Sequence, residues 1–255
     1  MCIRDSSRRV RALHEQIFYR PILDAAVGTG AVTSLPAKAA ESRLRAFGFV
    51  DPHSAMRHIH DLSAGVSRAS RVHRQVLPAM LGWLSEGVDP DAGLLAYRRV
   101  SEKLSSSTWY LKLLRDSGQG AEALARVLSL SQYAASHIMH YHGSVRWLAD
   151  QDMLHPTPLD SLRQEMSELV GRGRGVEGVR AVYGREKLRI ILADILEVIP
   201  RSAVPQALSD VMSTAIDAAL LSVRRDLDTD HRIYDYDFAI IAMGRLGGRE
   251  IGVFS

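Results

Sequence analysis

The chain has 255 residues, 46% of them hydrophobic and 24% charged, and its 32 basic and 29 acidic side chains leave a net charge of +3. That composition suits a globular chain with a sizeable core, in one large or two modest domains. The charge balance argues against a phosphate-backbone footprint and hence against a nucleic-acid partner. The single cysteine, Cys2, excludes an internal disulfide and fits a reducing compartment. No apolar run reaches the roughly 18 residues a membrane-spanning helix needs.

Residues 1–7, Met-Cys-Ile-Arg-Asp-Ser-Ser, lack the order of a signal peptide and are expected to be a non-native leader. From there to about residue 230 the pattern is helix after helix. Asp51-Pro52 and Asp89-Pro90 each place an N-cap acceptor before a proline suited to the first helical position. Gly48, Gly118 and Gly143 stand where helices should end. Thr157-Pro-Leu-Asp160 resembles a capping box. Gly171-Arg-Gly-Arg-Gly175 reads as a solvated connector, with a phosphate nest as the alternative. Leu188, Ile191, Leu192, Ile195, Leu196 and Ile199 form a stripe on one helix face. After Pro200 and Pro205, residues Val204, Ala207, Leu208, Val211, Met212, Ala215 and Ala219 repeat it, so two long helices should pack together.

Some polar residues invite a chemical reading. His137, His140 and His142, and likewise His53, His58 and His60, cluster without a carboxylate at ligand spacing, so exposed helix faces explain them better than a metal. Arg185 falls within the apolar stripe and Arg189 at its margin, an awkward place for charge. Either they snorkel, or they face an anion such as the ATP phosphates or the nearby Asp194.

The most distinctive segment is the last. Phe238, Ala239, Ile240, Ile241 and Ala242 read as a strand, expected near Tyr236–Met243, that empties into Gly244, Gly247 and Gly248. Such a turn can bring backbone N–H groups to a phosphate. The spacing matches neither the dinucleotide fingerprint nor the P-loop, and a glycine turn with no ligand stays open.

Met-Gly-Arg-Leu-Gly-Gly-Arg-Glu-Ile-Gly, Met243 to Gly252, resembles the signature of the glutamine-synthetase adenylyltransferases, bifunctional enzymes of the polymerase-β-like nucleotidyltransferase superfamily. Arg185-Glu-Lys-Leu-Arg189-Ile-Ile-Leu-Ala-Asp194 is similar to the family's helix before that strand, and Leu124–Leu128 with Ser131 and Tyr133 to the opening of the same repeat. His14-Glu-Gln-Ile-Phe-Tyr-Arg-Pro21 resembles the segment closing the first half, and Asp89–Arg98 the actinobacterial linker. Val253-Phe254 departs from the family's usual aromatic-glycine pair.

The resemblance implies a mainly α chain, a helical array leading into the first strand of a truncated polymerase-β-like domain that is α+β in the full enzyme. It implies residues 8–104 as the helical tail of the preceding unit plus central linker, and 105–255 as the start of the second, adenylylating unit. Gly244, Arg245, Gly247, Gly248, Glu250 and Ser255 would be nucleotide-binding, with Arg185 and Arg189 as possible anion contacts. No catalytic or metal residue falls within the chain, because the family's Asp-x-Asp is expected just beyond Ser255. ATP and Mg²⁺ are the implied cofactors of a cytoplasmic enzyme, and glutamine synthetase and a PII-type signal protein its partners, with no membrane involved. Two other readings stay open: a helical, non-catalytic regulatory module, and the adenylyl-removing unit. The strand, lacking partners, is expected to be an orphan.

Overall fold

The computed structural model describes residues 10, 13, 15–27, 36–229 and 239–253. It divides into two compact units, Met1–Asp150 and Gln151–Ser255. Residues 1–7 and the expected strand positions 236–238 lie outside the described residues.

In the first unit a π-helical turn, Glu15–Tyr19, leads into α1 (Arg20–Val27). Seven further helices follow: α2 (Ala37–Ala46), α3 (Pro52–Ser63), α4 (Arg68–Ser85), α5 (Pro90–Leu104), α6 (Thr108–Asp116), α7 (Gly118–Leu130) and α8 (Gln132–His140). A 3-10 segment, His142–Ala149, closes the unit. Helix α4 runs through its middle, packed against α3, α6 and α7, and Leu77, Met80, Leu81 and Leu84 on it are wholly enclosed.

The caps explain where these helices begin. Asp51 accepts from the Ser54 amide at 3.0 Å and Asp89 from the Ala92 amide at 2.9 Å, each with its proline in the first turn, as the sequence suggests. Ser67, Ser117 and Ser131 do the same for α4, α7 and α8. Gly48 ends α2 at φ +90°, with the Phe49 amide reaching back to the Leu44 carbonyl at 3.1 Å. Helices α6 and α8 end just before Gly118 and Gly143 as expected, but Ser117 and Tyr141 are the C-caps and each glycine already lies in the first turn of the next helical segment. Neither glycine has a positive φ, so the left-handed conformation that makes glycine a helix terminator is not needed there.

Helix α5 crosses α7 at close range because Gly93 has no side chain. A Cβ there would stand 2.9 Å from Leu84 Cδ2, 3.0 Å from Ser129 Cβ and 3.1 Å from Ser129 Cα. Gly93→Ala is therefore expected to destabilise the chain by about 1–3 kcal/mol in urea unfolding, as overpacking does. Gly118→Ala, with no heavy atom within 4 Å, should not destabilise.

The second unit holds a 3-10 turn, Gln151–Leu154, and three long helices, α9 (Leu159–Gly171), α10 (Gly175–Ile195) and α11 (Val204–Thr229), each packed on the other two. The expected pairing of the last two is present, with altered limits. Helix α10 begins well before Leu188 and stops at Ile195, so Ile199 lies beyond it. Glu197 sits at φ +57°, its amide bonded to the Asp194 carbonyl and the Val198 amide to the Ala193 carbonyl, 3.1 and 2.8 Å. This cap is of the Schellman type, and Pro200 then denies Ile199 the helical region. Ile190 and Ala193 are buried along with Leu188, Ile191 and Leu192, so α10 is covered on more than one face. On α11 the seam runs through Val204, Leu208, Val211, Thr214, Ala218 and Ser222 rather than continuing through Ala215 and Ala219. Thr214 is tolerated inside because its hydroxyl donates to the Asp210 carbonyl at 2.8 Å.

Of three further expectations, the connector is met and the other two change. Thr157 is no cap: α9 starts after Pro158 without a side-chain cap, and the Thr157 hydroxyl donates to Glu186 instead. The Gly171–Gly175 segment is a connector between α9 and α10 with Gly173 at φ +73°. The amides of Arg172, Gly173 and Arg174 are spent on the carbonyls of Glu168, Val170 and Leu169, which leaves them no role in a phosphate nest. Finally, no strand forms among the described residues. Ala239–Met243 is irregular, with Ile241 and Met243 more than four-fifths exposed. A strand is defined by its ladder, and no described segment offers one to these residues.

Candidate functional site

The glycine segment forms a single helical turn, Gly244–Gly247, entered from an extended Met243 and anchored by the buried Ile251. Its conformation assigns the glycines different tasks. Gly244 takes the left-handed conformation, φ +57°, which turns the extended chain into the helix. Gly247 is required by proximity: a Cβ there would lie 2.5 Å from the Ala242 carbonyl oxygen. Gly248 has an ordinary φ of −79°. The left-handed residue that ends the turn is Arg249, φ +55°, and the Glu250 amide closes back on the Arg245 carbonyl at 2.7 Å.

In this conformation the amides of Gly247 and Gly248 donate to the carbonyls of Met243 and Gly244, 3.4 and 2.9 Å. Arg245 and Glu250 are exposed on the same turn, and Ser255 lies outside the described residues.

Arg185 and Arg189 meet on a carboxylate that the sequence reading did not single out. Arg185 Nε donates to Glu186 Oε1 at 2.8 Å, while its two terminal nitrogens hold both oxygens of Glu165 at 2.8 and 2.7 Å. Arg189 Nε donates to Glu186 Oε2 at 3.1 Å, and its Nη1 to the Met153 carbonyl. The Thr157 hydroxyl completes the second oxygen at 2.7 Å. Glu186 is only 1% exposed, so this is an interior cluster satisfied from three helical segments and a loop. The fork of Arg185 holds the Glu165 carboxyl below its usual range, and Glu165 in turn raises Arg185. Asp194, one of the anions expected for Arg185, is not its partner; Glu165 and Glu186 are. Asp194 lies 3.9 Å from Arg201. The overlooked signal was the acid between the two arginines: Glu186 neighbours Arg185 and precedes Arg189 by three positions, one helical turn.

The histidines stay on helix faces. His137 and His140 each bond through Nδ1 to a carbonyl one turn back, at 2.9 Å, and His137 stacks on Tyr133. His60 bonds to the Ala26 carbonyl and His53 lies 3.5 Å from Glu41. Among the described residues no group of three or more His, Cys, Asp or Glu is placed to hold a metal ion, and no helix is long and apolar enough to cross a membrane.

The chain has clear counterparts in sequence. The chain is 40% identical over 96% of its length to a protein of Leifsonia xyli subsp. xyli, and 41% over 98% to one of Cutibacterium acnes. It is 40% identical over 95% to one of Streptomyces coelicolor. Each bears the name bifunctional glutamine synthetase adenylyltransferase/adenylyl-removing enzyme, and the chain spans about a quarter of their length. The family model for glutamate-ammonia ligase adenylyltransferase matches residues 121–255, which takes in all of the second unit and the glycine turn. On that match the chain belongs to the glutamate-ammonia ligase adenylyltransferase family.

Proposed function

We propose that this chain is part of an enzyme that transfers AMP from ATP to a tyrosine of glutamine synthetase, and that its glycine turn opens the adenylylating half. In that reaction the tyrosine hydroxyl gives up its proton to solvent, its oxygen forms a bond to the α-phosphorus, the bond from that phosphorus to the α,β-bridging oxygen breaks, and pyrophosphate leaves with that oxygen. Residues 8–104 would be the helical end of the preceding half with the linker, and 105–255 the start of the adenylylating half, preceding the rest of a polymerase-β-like sheet. The observation that carries this reading is the turn itself, Met243–Glu250, at the end of the matched region. Its glycines leave a backbone bare of side chains, and Arg245 supplies positive charge on the same turn.

The described residues do not fit a magnesium site, so no step is assigned to a cation here. We place the ligands of the ATP-bound Mg²⁺ in an Asp-x-Asp following Ser255. A PII-type signal protein is the proposed regulator, and the cytoplasm the proposed compartment.

The adenylyl-removing activity in the relatives' name is the competing assignment. The order of segments, with His14–Pro21 ahead of the glycine turn, favours the adding half. The test is Gly247→Val in the full-length enzyme, measured both for labelled AMP incorporation and for phosphorolytic removal. Incorporation should fall at least 100-fold while removal persists. Loss of removal with incorporation intact would transfer the turn to the other half, and no loss of either would sink the proposal.

A further inference from the structure

The first unit carries a site that the glycine turn and its chemistry do not use. Between α6 and the 3-10 segment His142–Ala149 an open cavity of about 330 Å³ is lined by Trp109, Lys112, Leu113, Asp116, Ser117, Arg146 and Ala149. Its walls are mostly apolar, with the partly buried Trp109 ring as the largest planar surface. The Arg146 guanidinium lies over that ring, 4.4 Å from its centroid. Lys112 stands one helical turn from Trp109, at an exposed position of α6.

The charges here do not cancel. The one carboxylate, Asp116, takes 2.6 and 2.9 Å hydrogen bonds from Arg115, and Lys112 acts on it only through space. Neither Lys112 nor Arg146 makes a hydrogen bond or an ion pair among the described residues. An aromatic shelf with two cations lacking acceptors is a concave site with one chemical complement.

We propose that this cavity binds a small planar aromatic anion, its ring against Trp109 and its acid group paired with Lys112 and Arg146. The volume admits a one- or two-ring compound. A phosphate and a carboxylate would serve the same two cations, Arg146 as a planar fork and Lys112 as a point charge. The site lies in the first compact unit and does not depend on the adenylyl-transfer reading.

The test is a titration of the 255-residue chain followed by the Trp109 indole N–H resonance, identified by its loss in Trp109→Phe. The probes are phenyl phosphate, indole-3-acetate, indole and inorganic phosphate. At least one aromatic anion should shift that resonance saturably and bind 10-fold or more tighter than indole or phosphate, and the tighter of the two names the acid group. Lys112→Gln and Arg146→Gln, both at exposed positions, should each weaken it at least 3-fold. Lys103→Gln, whose ammonium is bonded to the Met139 carbonyl outside the cavity, should not. No saturable shift with either anion, equal binding of neutral indole, or full affinity in the Lys112 variant would overturn the proposal.

Discussion

Replacing Glu186 with alanine is expected to destabilise the second unit by about 3–5 kcal/mol, the usual consequence of removing one partner from a buried ionic cluster. Glu186 is 1% exposed and takes hydrogen bonds from Arg185, Arg189 and Thr157. Its loss leaves two part-buried guanidinium N–H groups and a hydroxyl without their acceptor, where water reaches them poorly. Glu186→Gln should recover part of the loss, since the amide oxygen still accepts but the charge is gone. Glu165→Ala is the informative contrast: its side chain is 38% exposed, so solvent can take over the fork of Arg185 and the cost should fall well below that of Glu186→Ala. The measurement is urea unfolding followed by circular dichroism. Equal costs at the two positions would mean that burial is not what makes Glu186 matter.

A second large effect should appear with pH in the first unit. His73 is 3% exposed, its Nδ1 2.9 Å from the Tyr97 hydroxyl, and next to it Ser101 and Tyr110 share a 2.8 Å bond. Burial lowers the His73 pKa from 6.5 to about 4 and raises those of Tyr97 and Tyr110, so all three are neutral near pH 7. The unfolded chain binds a proton at His73 below 6.5, while the folded chain refuses it until about 4. Stability is therefore complete above the unfolded value and is lost as pH falls through that window, by roughly 3 kcal/mol once below both values. Other groups titrate in the same range, so the readout is a difference. Wild type minus His73→Gln, compared in urea at pH 7 and pH 4, should show about that much less acid sensitivity in the variant. Identical pH dependence would show that His73 is not held neutral.

The helical class was legible because its signals are local. Asp51, Asp89 and Gly48 act within one turn of themselves, and the chain around them needs no distant partner to cap or end a helix. The two-helix reading of residues 188–219 held for the same reason, since a spacing of three and four positions places side chains on one face whatever packs there. The motif at Met243–Gly252 locates the glycine turn without describing it: the left-handed residues are Gly244 and Arg249.

What the linear order could not disclose were relations between segments far apart in the chain. Glu165 lies 20 positions before Arg185 on a different helix, and only the packing of α9 on α10 decides that it takes the fork of Arg185. The Gly93–Ser129 approach, the His73–Tyr97 bond and the Trp109–Arg146 stack are of the same kind. Sequence by itself determined the helical periodicity, the caps and the family, because backbone geometry and motif are written in neighbouring residues. The tertiary structure alone decided which charges are paired inside and which face a cavity. A side chain's solvation, and hence its charge state, depends on what the rest of the chain places within a few ångströms of it.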